Sequence, residues 1–406
     1  MKKTCDVCKS NLSGKTISLG KQPLCDDLKD LNSHTKCKIY PIKLKICKKC
    51  LTVNQLYKVD QKILFPYNYN YRAKLTKDVL TGMKEFADSC DKLKNLNNKS
   101  KTILDVGCND GSLLDFFKKL NYQTIGIEPT GAVNDIKKIH QSYKSTLNVN
   151  IVNKILKRNP KIDLITFTNV FAHIPNFKEV IDCLRILKNH TKYIIIENHY
   201  LGSILKKNQF DTFYQEHPRT YSLTSFTYIA KLIGVNISKV QFPKRYGGNI
   251  RVFFTKEGKK ISKKKLFLLI SKEQKFISEF KKLRDNIKHW KISKINFFNN
   301  LKKKNIKIIG KAFPGRASIL INYLGLNEKT IPIIYEQNIS KKIYKYVPGT
   351  KIKIMPDKLM KKDINKNVLL INFAWHIEKE IKRYLKNLRI NNKVVNIVNS
   401  SDFRDI

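Results

Sequence analysis

The stretch LDVGCNDGSLL, residues 104–114, decides the fold of the middle of the chain. It connects an apolar run, ILDV at 103–106, to a segment with helical apolar spacing through a turn that contains Gly107 and Gly111. Glycine at these two positions lets the backbone approach a ligand closely. The stretch therefore predicts a strand, a tight turn and a helix, and the turn either binds a cofactor or is an ordinary connection.

A carboxylate follows at a distance that suits a nucleoside. Glu128 ends the next apolar run, TIGIE at 124–128, where it can accept hydrogen bonds from both hydroxyls of an adenosine ribose. The turn lacks the G-x-G-x-x-G pattern that a dinucleotide site prefers. The spacing favours S-adenosylmethionine, which has a nucleoside and an amino acid but no pyrophosphate. The predicted cofactor-binding residues are Asp105, Gly107, Asn109, Gly111, Glu128 and Asn169.

Predicted helices and strands alternate around this turn. They are a helix at 76–96, a strand at 103–106, a helix from 111, a strand at 124–128, a helix at 148–158, a strand at 163–167, a helix at 176–188 and a strand at 192–197. Such alternation is typical of a parallel, doubly wound sheet. The run KYIIIE at 192–197 is apolar throughout, which fits a strand buried on both faces.

A second α/β unit is predicted in the C-terminal part. A long helix with one apolar face, marked by Phe276, Phe280, Leu283, Ile287 and Trp290, leads into it. Alternation then resumes, with strands at 306–310, 331–336, 367–372 and 394–398 and helices from 315 and 375. Two α/β units are therefore expected after a cysteine-rich N-terminal module.

Six of the nine cysteines lie within the first 50 residues, and four of them form two Cys-x-x-Cys pairs. The predicted metal ligands are Cys5, Cys8, Cys47 and Cys50. Four thiolates suit a closed tetrahedral zinc site, which is structural because no position is left for a substrate. Cys25, His34 and Cys37 lie between the pairs and could compete as ligands. Redox-active dithiols, or cysteines without a shared role, are the alternative interpretations.

The segment FTNVFAHIPN (167–176) follows the predicted strand at 163–167. Its Asn169 and His173 would lie at the carboxyl edge of the sheet, where ligands bind in this class of fold. By position alone, His173 is equally well explained as a hydrogen-bonded loop histidine.

The segment FDTFYQEHPRTYSL (210–223) brings Tyr214, Glu216 and His217 together within four residues. A phenol, a carboxylate and an imidazole so close together can act as general acid and base. Taken alone, such a cluster is more often a hydrogen-bonded surface loop. Its functional interpretation depends on the cofactor motif earlier in the chain.

Two further residues are predicted to bind substrate. Arg316 lies in GKAFPGRASILINYLG (310–325), which predicts a strand, a Gly/Pro loop and a helix N-terminus that could hold a phosphate. A plain strand-to-helix connection explains this segment equally well. Asn198, directly after the run at 192–197, is the other predicted substrate-binding residue.

The net charge of +48 suggests a polyanionic partner, but the kind of cation weakens that interpretation. Only 11 of the 80 basic residues are arginine, and lysines are spread over the whole length, as a coding bias toward AT-rich codons would also produce. Proteins that read phosphates and bases rely on the bidentate fork of arginine. Nucleic acid is therefore disfavoured as a partner. The absence of a long apolar run and of an apolar leader predicts a cytoplasmic protein without membrane contact.

In this order, the motifs resemble those of the sugar C-methyltransferases that act on nucleotide-linked 4-keto deoxysugars. The similarity covers nearly the whole chain and rests on CxxC followed by LGKQPLCDDL, ICKKC, a tyrosine-rich segment, VGCNDGSLL, NVFAHI, FDTFYQEH, YGGNIRV, GKAFPGRASILINYLG and YVPGTKI. It implies a small zinc-binding domain (1–75) followed by two Rossmann-like, doubly wound α/β domains. The first (76–250) would bind S-adenosylmethionine and the second (251–406) would bind substrate.

The resemblance also implies roles for residues. The implied catalytic set is His217, Tyr214, Glu216, His173 and one tyrosine of positions 67, 69 and 71, with Tyr71 favoured. His217 would remove a proton beside the ketone, Tyr214 and His173 would hold the enolate, and Glu216 would orient the imidazole. The chain departs from the family pattern at Gln215, at the Pro-Arg pair after His217, and at Arg316, where the family often has lysine.

The implied substrate is a dTDP-linked or similar nucleotide sugar, and the implied assembly is a monomer or a small homo-oligomer. Three alternatives stay open at the level of sequence. They are an O-methyltransferase acting on a nucleotide sugar or related small molecule, a zinc-containing methyltransferase that binds nucleic acid, and an assembly protein that binds S-adenosylmethionine without catalysis.

Overall fold

A computed structural model describes residues 2–69, 71–93, 96, 101–365 and 367–403. The chain divides into two compact units. The first contains residues 1–14, 45–204 and 216–277, and the second contains residues 15–44, 205–215 and 278–406. Residues 15–44, which are most of the segment between the two cysteine pairs, thus belong to the second unit, whereas the cysteine pairs belong to the first. The division into three domains at 75 and 250 stays a prediction.

The strands, numbered in chain order, are β1 (Ile17–Pro23), β2 (Lys29–Asp30), β3 (Ile39–Ile46), β4 (Val53–Gln55), β5 (Lys101–Val106), β6 (Tyr122–Ile127), β7 (Gln141–Tyr143), β8 (Ile162–Thr168), β9 (Thr191–His199), β10 (Arg219–Thr220), β11 (Asn236–Gln241), β12 (Asn249–Thr255), β13 (Lys307–Lys311), β14 (Ile333–Glu336), β15 (Lys345–Tyr346), β16 (Lys353–Pro356), β17 (Val368–Asn372) and β18 (Val394–Asn396).

The α-helices are α1 (Gln61–Leu64), α2 (Lys77–Asp91), α3 (Ser112–Lys119), α4 (Val149–Arg158), α5 (Phe177–Leu187), α6 (Leu201–Lys207), α7 (Leu223–Ile233), α8 (Lys263–Ser271), α9 (Phe276–Lys303), α10 (Ala317–Leu324), α11 (Met360–Asp363) and α12 (Glu378–Asn387). None of the helices in the described ranges is long and apolar enough to cross a membrane.

The first unit is built on a seven-stranded sheet in the order β11-β12-β9-β8-β5-β6-β7. The strands from β9 to β7 are parallel, and β12 is antiparallel to both of its neighbours. The order reverses between β5 and β8, so the loops after these two strands flank the point where open α/β sheets bind ligands. The predicted parallel sheet is confirmed, with an antiparallel strand added at one side.

Both faces of this sheet are buried, because successive side chains of a strand point to opposite faces. Ile103 and Leu164 pack into one core with helices α2 and α3, while Leu104 and Ile165 pack into the other with helices α4, α5 and α7. Double burial explains why the sequence shows continuous apolar runs here rather than alternation.

The second unit also has a seven-stranded sheet, in the order β18-β17-β13-β14-β16-β15-β2. Strands β18, β17, β13, β14 and β16 are parallel, and β15 and β2 complete the edge in antiparallel pairing. Strand β2 comes from the segment between the cysteine pairs. The predicted fold class, with two Rossmann-like units and an N-terminal cysteine cluster, is confirmed.

Most predicted elements match to within a few residues. The helix predicted at 76–96 is α2, which ends at Asp91 because the described chain turns at Lys92; residues 94 and 95 of that prediction lie outside the described residues. The long amphipathic helix is α9, which is 28 residues long. Its apolar residues Phe280, Leu283 and Trp290 are buried, as the spacing predicted.

Candidate active site and metal centre

The four predicted zinc ligands form one cluster, with all four Sγ atoms within 4.8 Å of one another. Each pair sits in a tight turn in which the residue after the second cysteine takes a left-handed conformation, Lys9 at φ 62° and Leu51 at φ 56°. The N–H groups of these residues donate to the carbonyl oxygens of Cys5 and Cys47, at 3.1 and 2.9 Å. The two turns therefore have the same shape and face each other.

The sulfur arrangement fits zinc. The Sγ atoms of Cys5 and Cys50 are 3.5 Å apart, and those of Cys8 and Cys47 are 3.4 Å apart. A tetrahedral ion with Zn–S bonds of about 2.3 Å places its sulfurs roughly 3.8 Å apart. Four thiolates complete the coordination and leave no open position, so the zinc is structural. Within the described ranges, this cysteine set is the group that could hold a metal.

Cys25 and Cys37 are not part of the metal-binding group found among the described residues, which consists of the four cysteines of the two Cys-x-x-Cys pairs. Cys37 Sγ donates to the carbonyl oxygen of Asp27 at 3.2 Å and accepts the N–H of Gly349 at 3.3 Å. The competing ligands considered from the sequence are thereby set aside in favour of the two Cys-x-x-Cys pairs.

The glycine-rich turn after β5 has the close packing that its sequence predicts. Gly107 takes φ 73°, and a Cβ there would lie 2.6 Å from both Cγ atoms of Val170, so no side chain fits. Its N–H donates to the carbonyl oxygen of Ile127 at 2.8 Å. The turn is therefore held against β6 and against the loop after β8.

Glu128, at the end of β6, holds this turn directly. One carboxylate oxygen accepts the N–H of Asn109 at 3.0 Å, and the other accepts the N–H and the hydroxyl of Thr130 at 2.9 and 2.6 Å. A carboxylate has about four acceptor sites, so three are used within the protein. The residue therefore organises two loops and keeps acceptor capacity for about one ribose hydroxyl, where the sequence suggested two.

Asp105 differs from the other predicted cofactor residues, because it points into the sheet. It is buried, and its carboxylate accepts the hydroxyl of Thr166 at 2.7 Å. Burial raises the pKa of Asp105 to about 7, while the Thr166 hydrogen bond opposes that rise. The hydrogen bond connects the neighbouring strands β5 and β8, so Asp105 has a structural role at this point of the sheet.

A tyrosine-containing segment crosses the glycine-rich turn. Asn109 Oδ1 accepts the N–H of Ala73 at 3.0 Å, and its Nδ2 donates to the carbonyl oxygen of Tyr71 at 3.2 Å. The Asp110 carboxylate accepts the N–H of Lys74 at 2.9 Å. Asn109 also takes a left-handed conformation, at φ 51°, which asparagine tolerates well. Side chains of the cofactor turn thus fix the backbone of the segment that carries Tyr71.

Replacing Glu128 with alanine is expected to weaken S-adenosylmethionine binding about 10- to 100-fold. Hydrogen bonds to a charged group contribute about 1.5–3 kcal/mol each, and 1.4 kcal/mol corresponds to a factor of about ten. Titration calorimetry of the zinc-loaded protein measures the change. Glu179→Ala, in the first turn of α5, is the matched control. Wild-type affinity in the Glu128 variant would show that this carboxylate does not support the site.

Two histidines face each other in the loops after β8 and before β10. The Nε2 atoms of His173 and His217 are 3.2 Å apart, and their rings meet edge to face with centroids separated by 4.5 Å. Burial lowers the pKa of His173 well below its usual range, and the neighbouring His217 lowers it further. His173 is therefore a neutral imidazole at physiological pH.

A carboxylate and a phenol adjoin the histidine pair. Glu216 Oε2 lies 3.9 Å from His173 Nδ1 and accepts a long hydrogen bond, 3.5 Å, from the hydroxyl of Tyr69. The ring of Phe65 packs edge to face on both Tyr69 and His173. Residues that are distant in sequence thus form one acid–base cluster in the first unit.

The other implied catalytic tyrosines lie in different surroundings. Tyr71 is 44% exposed, and its carbonyl oxygen accepts hydrogen bonds from Arg72 Nη1 and Asn109 Nδ2. The hydroxyl of Tyr69 lies near Glu216. Tyr214 is half-buried in the segment 205–215, which belongs to the second unit. Catalytic roles for Tyr71 and Tyr214 stay predictions, and Tyr69 becomes a third candidate.

A small cavity opens beside His217. Its lining includes Asn169, Asn198 and His199, at the carboxyl ends of β8 and β9. Asn198 Oδ1 accepts the N–H of Ala172, and among the described residues its buried Nδ2 finds no hydrogen-bond acceptor. A buried amide donor without an acceptor carries a free-energy cost that a ligand oxygen would remove.

Sequence reasoning missed the polar network that supports this cavity. Asn249 Nδ2 donates to Asn169 Oδ1 at 3.2 Å and to Glu197 Oε1 at 2.9 Å, and Arg251 Nε donates to Glu197 Oε2 at 2.5 Å. The signal was present in the polar letters of ENH (197–199) and GGNIR (247–251) at the ends of apolar strands. Their contact depends on the antiparallel pairing of β12 with β9, which no local pattern specifies.

Arg316 is held inside the second unit. Its Nε donates to the buried carboxylate of Asp211 at 2.8 Å, and the same oxygen accepts the indole N–H of Trp375 at 2.9 Å. Part of the arginine fork is therefore committed to a protein carboxylate. Phosphate binding by Arg316 stays a prediction. A phosphate would have to bind the guanidinium while its Nε remains paired with Asp211.

Three segments of the chain match models of known protein families. Residues 5–65 match a model for a zinc binding domain, residues 79–240 a model described as "Methyltransferase domain", and residues 244–398 a model described as "C-methyltransferase C-terminal domain". The chain is 25% identical over 257 residues to the C-methyltransferase NovU of Streptomyces niveus. That alignment covers 61% of this chain and 60% of the relative's length.

Solved structures overlap with part of the chain. A S-adenosylmethionine-dependent methyltransferase from Clostridium acetobutylicum is 16% identical, with a TM-score of 0.35 over 44% of this chain and 92% of that one. A S-adenosylmethionine-dependent methyltransferase from Archaeoglobus fulgidus is 13% identical, with a TM-score of 0.33 over 42% of this chain and 93% of that one. The matched segments follow one another along residues 5–398, so the chain is similar, in order, to a zinc binding domain, a methyltransferase domain and a C-methyltransferase C-terminal domain, and these matches support a methyltransferase.

Proposed function

We propose that this protein methylates a carbon adjacent to the keto group of a nucleotide-linked 4-keto deoxysugar, with His217 as the general base. The observation that carries the proposal is the pair of His173 and His217, with Nε2 atoms 3.2 Å apart, in which the buried His217 lines the cavity at the sheet edge. The family model for the C-terminal region supports C-methylation, and the motif series supports the sugar substrate.

A base is what this reaction needs from the protein. Bound S-adenosylmethionine supplies an electrophilic methyl group on sulfur, and the carbon that attacks it must first lose a proton. A neighbouring ketone makes that proton acidic, because the resulting charge moves onto the oxygen. A neutral imidazole is well suited to accept that proton near pH 7, which is the role proposed for His217. Burial lowers the pKa of its partner His173, so His173 can serve as a neutral hydrogen-bond donor.

In this proposal one histidine of the pair accepts the substrate proton and the other donates a hydrogen bond to the substrate. At most one hydrogen fits between two Nε2 atoms at 3.2 Å, so one of the rings offers a lone pair. In the proposed Michaelis complex His217 turns this lone pair to the substrate C–H, and His173 donates its N–H to the enolate oxygen. Glu216, whose Oε2 lies 3.9 Å from His173 Nδ1, orients the His173 ring for this donation.

Two other groups complete the proposal. The unsatisfied Nδ2 donor of Asn198 can bind a substrate oxygen at the cavity. The Tyr69 hydroxyl at Glu216 can orient that carboxylate, and Tyr69 competes with Tyr71 for the role assigned to a tyrosine of this segment. Tyr214 stays a candidate for enolate stabilisation on the strength of the motif alone.

The test is an assay of the zinc-loaded protein with S-adenosylmethionine and a panel of nucleotide-linked 4-keto deoxysugars. We expect one member of the panel to gain the mass of one methylene, and we expect the carbon beside its ketone to exchange hydrogen for deuterium in D2O. O-methylation would add the same mass without enzyme-dependent exchange at that carbon. A panel in which no keto sugar is methylated or exchanged would overturn the proposed substrate class.

A further inference from the structure

Arg219 is an unusual arginine, because its side chain is fully buried in the first unit. Its Nη1 donates to Asp6 Oδ2 at 2.8 Å, and its Nε donates to the hydroxyl of Tyr221 at 2.9 Å. A guanidinium is never neutral in a protein, so this position must supply partners for a permanent charge. The partners of the guanidinium are one carboxylate and several neutral oxygens.

The same guanidinium reaches the loop of the first histidine. Nη2 donates to the carbonyl oxygen of Ile174, and Nη1 donates to that of Pro175 at 3.3 Å. These carbonyls come one and two residues after His173. Since Arg219 itself follows His217 by two residues, one rigid planar group connects the backbones beside both histidines.

Its carboxylate partner belongs to the metal centre. Asp6 lies inside the first Cys-x-x-Cys turn, between Cys5 and Cys8, and its own N–H donates to Asn54 Oδ1 at 3.1 Å. The position of its carboxylate therefore depends on the shape of a turn that zinc stabilises. Lys2 and Lys58 also pair with Asp6, at 2.6 and 3.2 Å.

The segment after the second Cys-x-x-Cys pair supports the backbone of the second histidine, His217. The N–H of Gln55 donates to the carbonyl oxygen of Pro218 at 2.9 Å, and Gln55 Nε2 donates to that of His217 at 3.2 Å. Strand β10 pairs with β4 through Arg219 and Asn54. The backbone of His217 is thus fixed by residues that follow Cys50, while Arg219 is fixed by a residue next to Cys5.

We infer that Arg219 is a positioning residue that sets the geometry of the His173–His217 pair, and that Asp6 couples this geometry to the zinc centre. The inference rests on the proposed function for the role of the two histidines. It assigns to the zinc turn a further task besides folding, which is to hold the base and its partner at their separation. The Pro-Arg pair after His217, a departure from the resembled family, is what makes the connection.

The test compares Arg219→Gln, Asp6→Asn and the double variant with wild type, all loaded with zinc. Arg219→Gln leaves Asp6 with two lysine partners, so this variant is the gentler one for folding. Arg185→Gln is the matched control, because Arg185 lies on the exposed face of α5 and pairs with Asp182. Zinc content, thermal unfolding and S-adenosylmethionine affinity establish that each variant is intact.

The decisive readout is the imidazole nitrogen spectrum, with His173 and His217 assigned through their glutamine variants. In Arg219→Gln and Asp6→Asn we expect both rings to change chemical shift and titration midpoint, with S-adenosylmethionine affinity within about twofold of wild type. The double variant is expected to match Arg219→Gln, since both changes break one connection. On an identified substrate, turnover should fall at least about tenfold with little change in the KM for S-adenosylmethionine.

Wild-type imidazole signals in a folded, zinc-loaded Arg219→Gln protein would overturn the inference, as would shifts equal to those of Arg185→Gln. The spectrum needs no substrate, so the outcome does not depend on which ketone the enzyme uses. Failure of the keto-sugar panel with shifted imidazole signals would remove the proposed substrate and leave the positioning role. If Arg219→Gln does not fold, Asp6→Asn and Arg219→Lys carry the same comparison.

Discussion

Replacing His217 with glutamine is expected to lower methyl transfer about 10²- to 10⁴-fold while leaving S-adenosylmethionine affinity unchanged. General base catalysis contributes a factor of this size, and glutamine has no group that accepts a proton near pH 7. The cofactor turn at Gly107 and Glu128 does not include His217, so binding of the methyl donor should not require it. Steady-state kinetics on the identified substrate, with calorimetry for the cofactor, provides the two measurements.

Deuterium exchange sharpens this prediction, because it isolates the proton-transfer step. Wild-type protein should exchange the substrate proton beside the ketone even with S-adenosylhomocysteine in place of the methyl donor, and His217→Gln should not. His190→Gln is the matched control, since His190 is partly exposed before β9 and its Nδ1 pairs with the carbonyl oxygen of Pro160 at 3.0 Å. A His217 variant that exchanges at the wild-type rate would remove this residue from the role of base.

The parts of the fold that local patterns control were predictable. The central parallel strands β5, β8 and β9 of the first unit are short, largely apolar runs because both sheet faces are buried, and the turn at Gly107 needs glycine because a Cβ would meet Val170. The Cys-x-x-Cys spacing likewise predicts its own turn. These features depend on residues within a few positions of one another, so their sequence carries the information directly.

The composition of the acid–base cluster was predictable only in part. His173, Glu216 and His217 lie close together, and the Tyr69 hydroxyl contacts the carboxylate, while the catalytic role of Tyr71 stays a prediction. Three tyrosines at alternate positions are equivalent by sequence alone. Asn109 and Asp110 hold the backbone of this segment at Ala73 and Lys74. These contacts join residues about 36 positions apart, so a local sequence pattern does not show which tyrosine faces Glu216.

The assignment of the segment 15–44 to the second unit could not be inferred from the cysteine pattern. Because the chain contributes one Cys-x-x-Cys pair before this segment and another after it, the pattern favours a single small domain that includes everything between the pairs. In the structure, strand β2 of this segment instead pairs with β15 of the C-terminal sheet, between Asp30 and Lys345 and between Lys29 and Tyr346. Pairing between strands that are 315 positions apart leaves no local signal.

Replacing Cys50 with serine is expected to remove the bound zinc and to lower the melting temperature by more than about 10 °C. Structural zinc contributes about 10–16 kcal/mol to the folding of small zinc modules, which is as large as the whole stability of an ordinary domain. The loss should spread beyond the cysteine turns, because the carbonyl oxygen of Cys50 accepts the hydroxyls of Ser222 and Ser225 at the start of α7. Cys37→Ser, in a half-buried cysteine of the second unit, is the matched control and should keep both zinc and melting temperature. Elemental analysis and calorimetry decide the matter: a Cys50→Ser protein with full zinc content and a wild-type transition would mean that the four thiolates do not hold a structural metal.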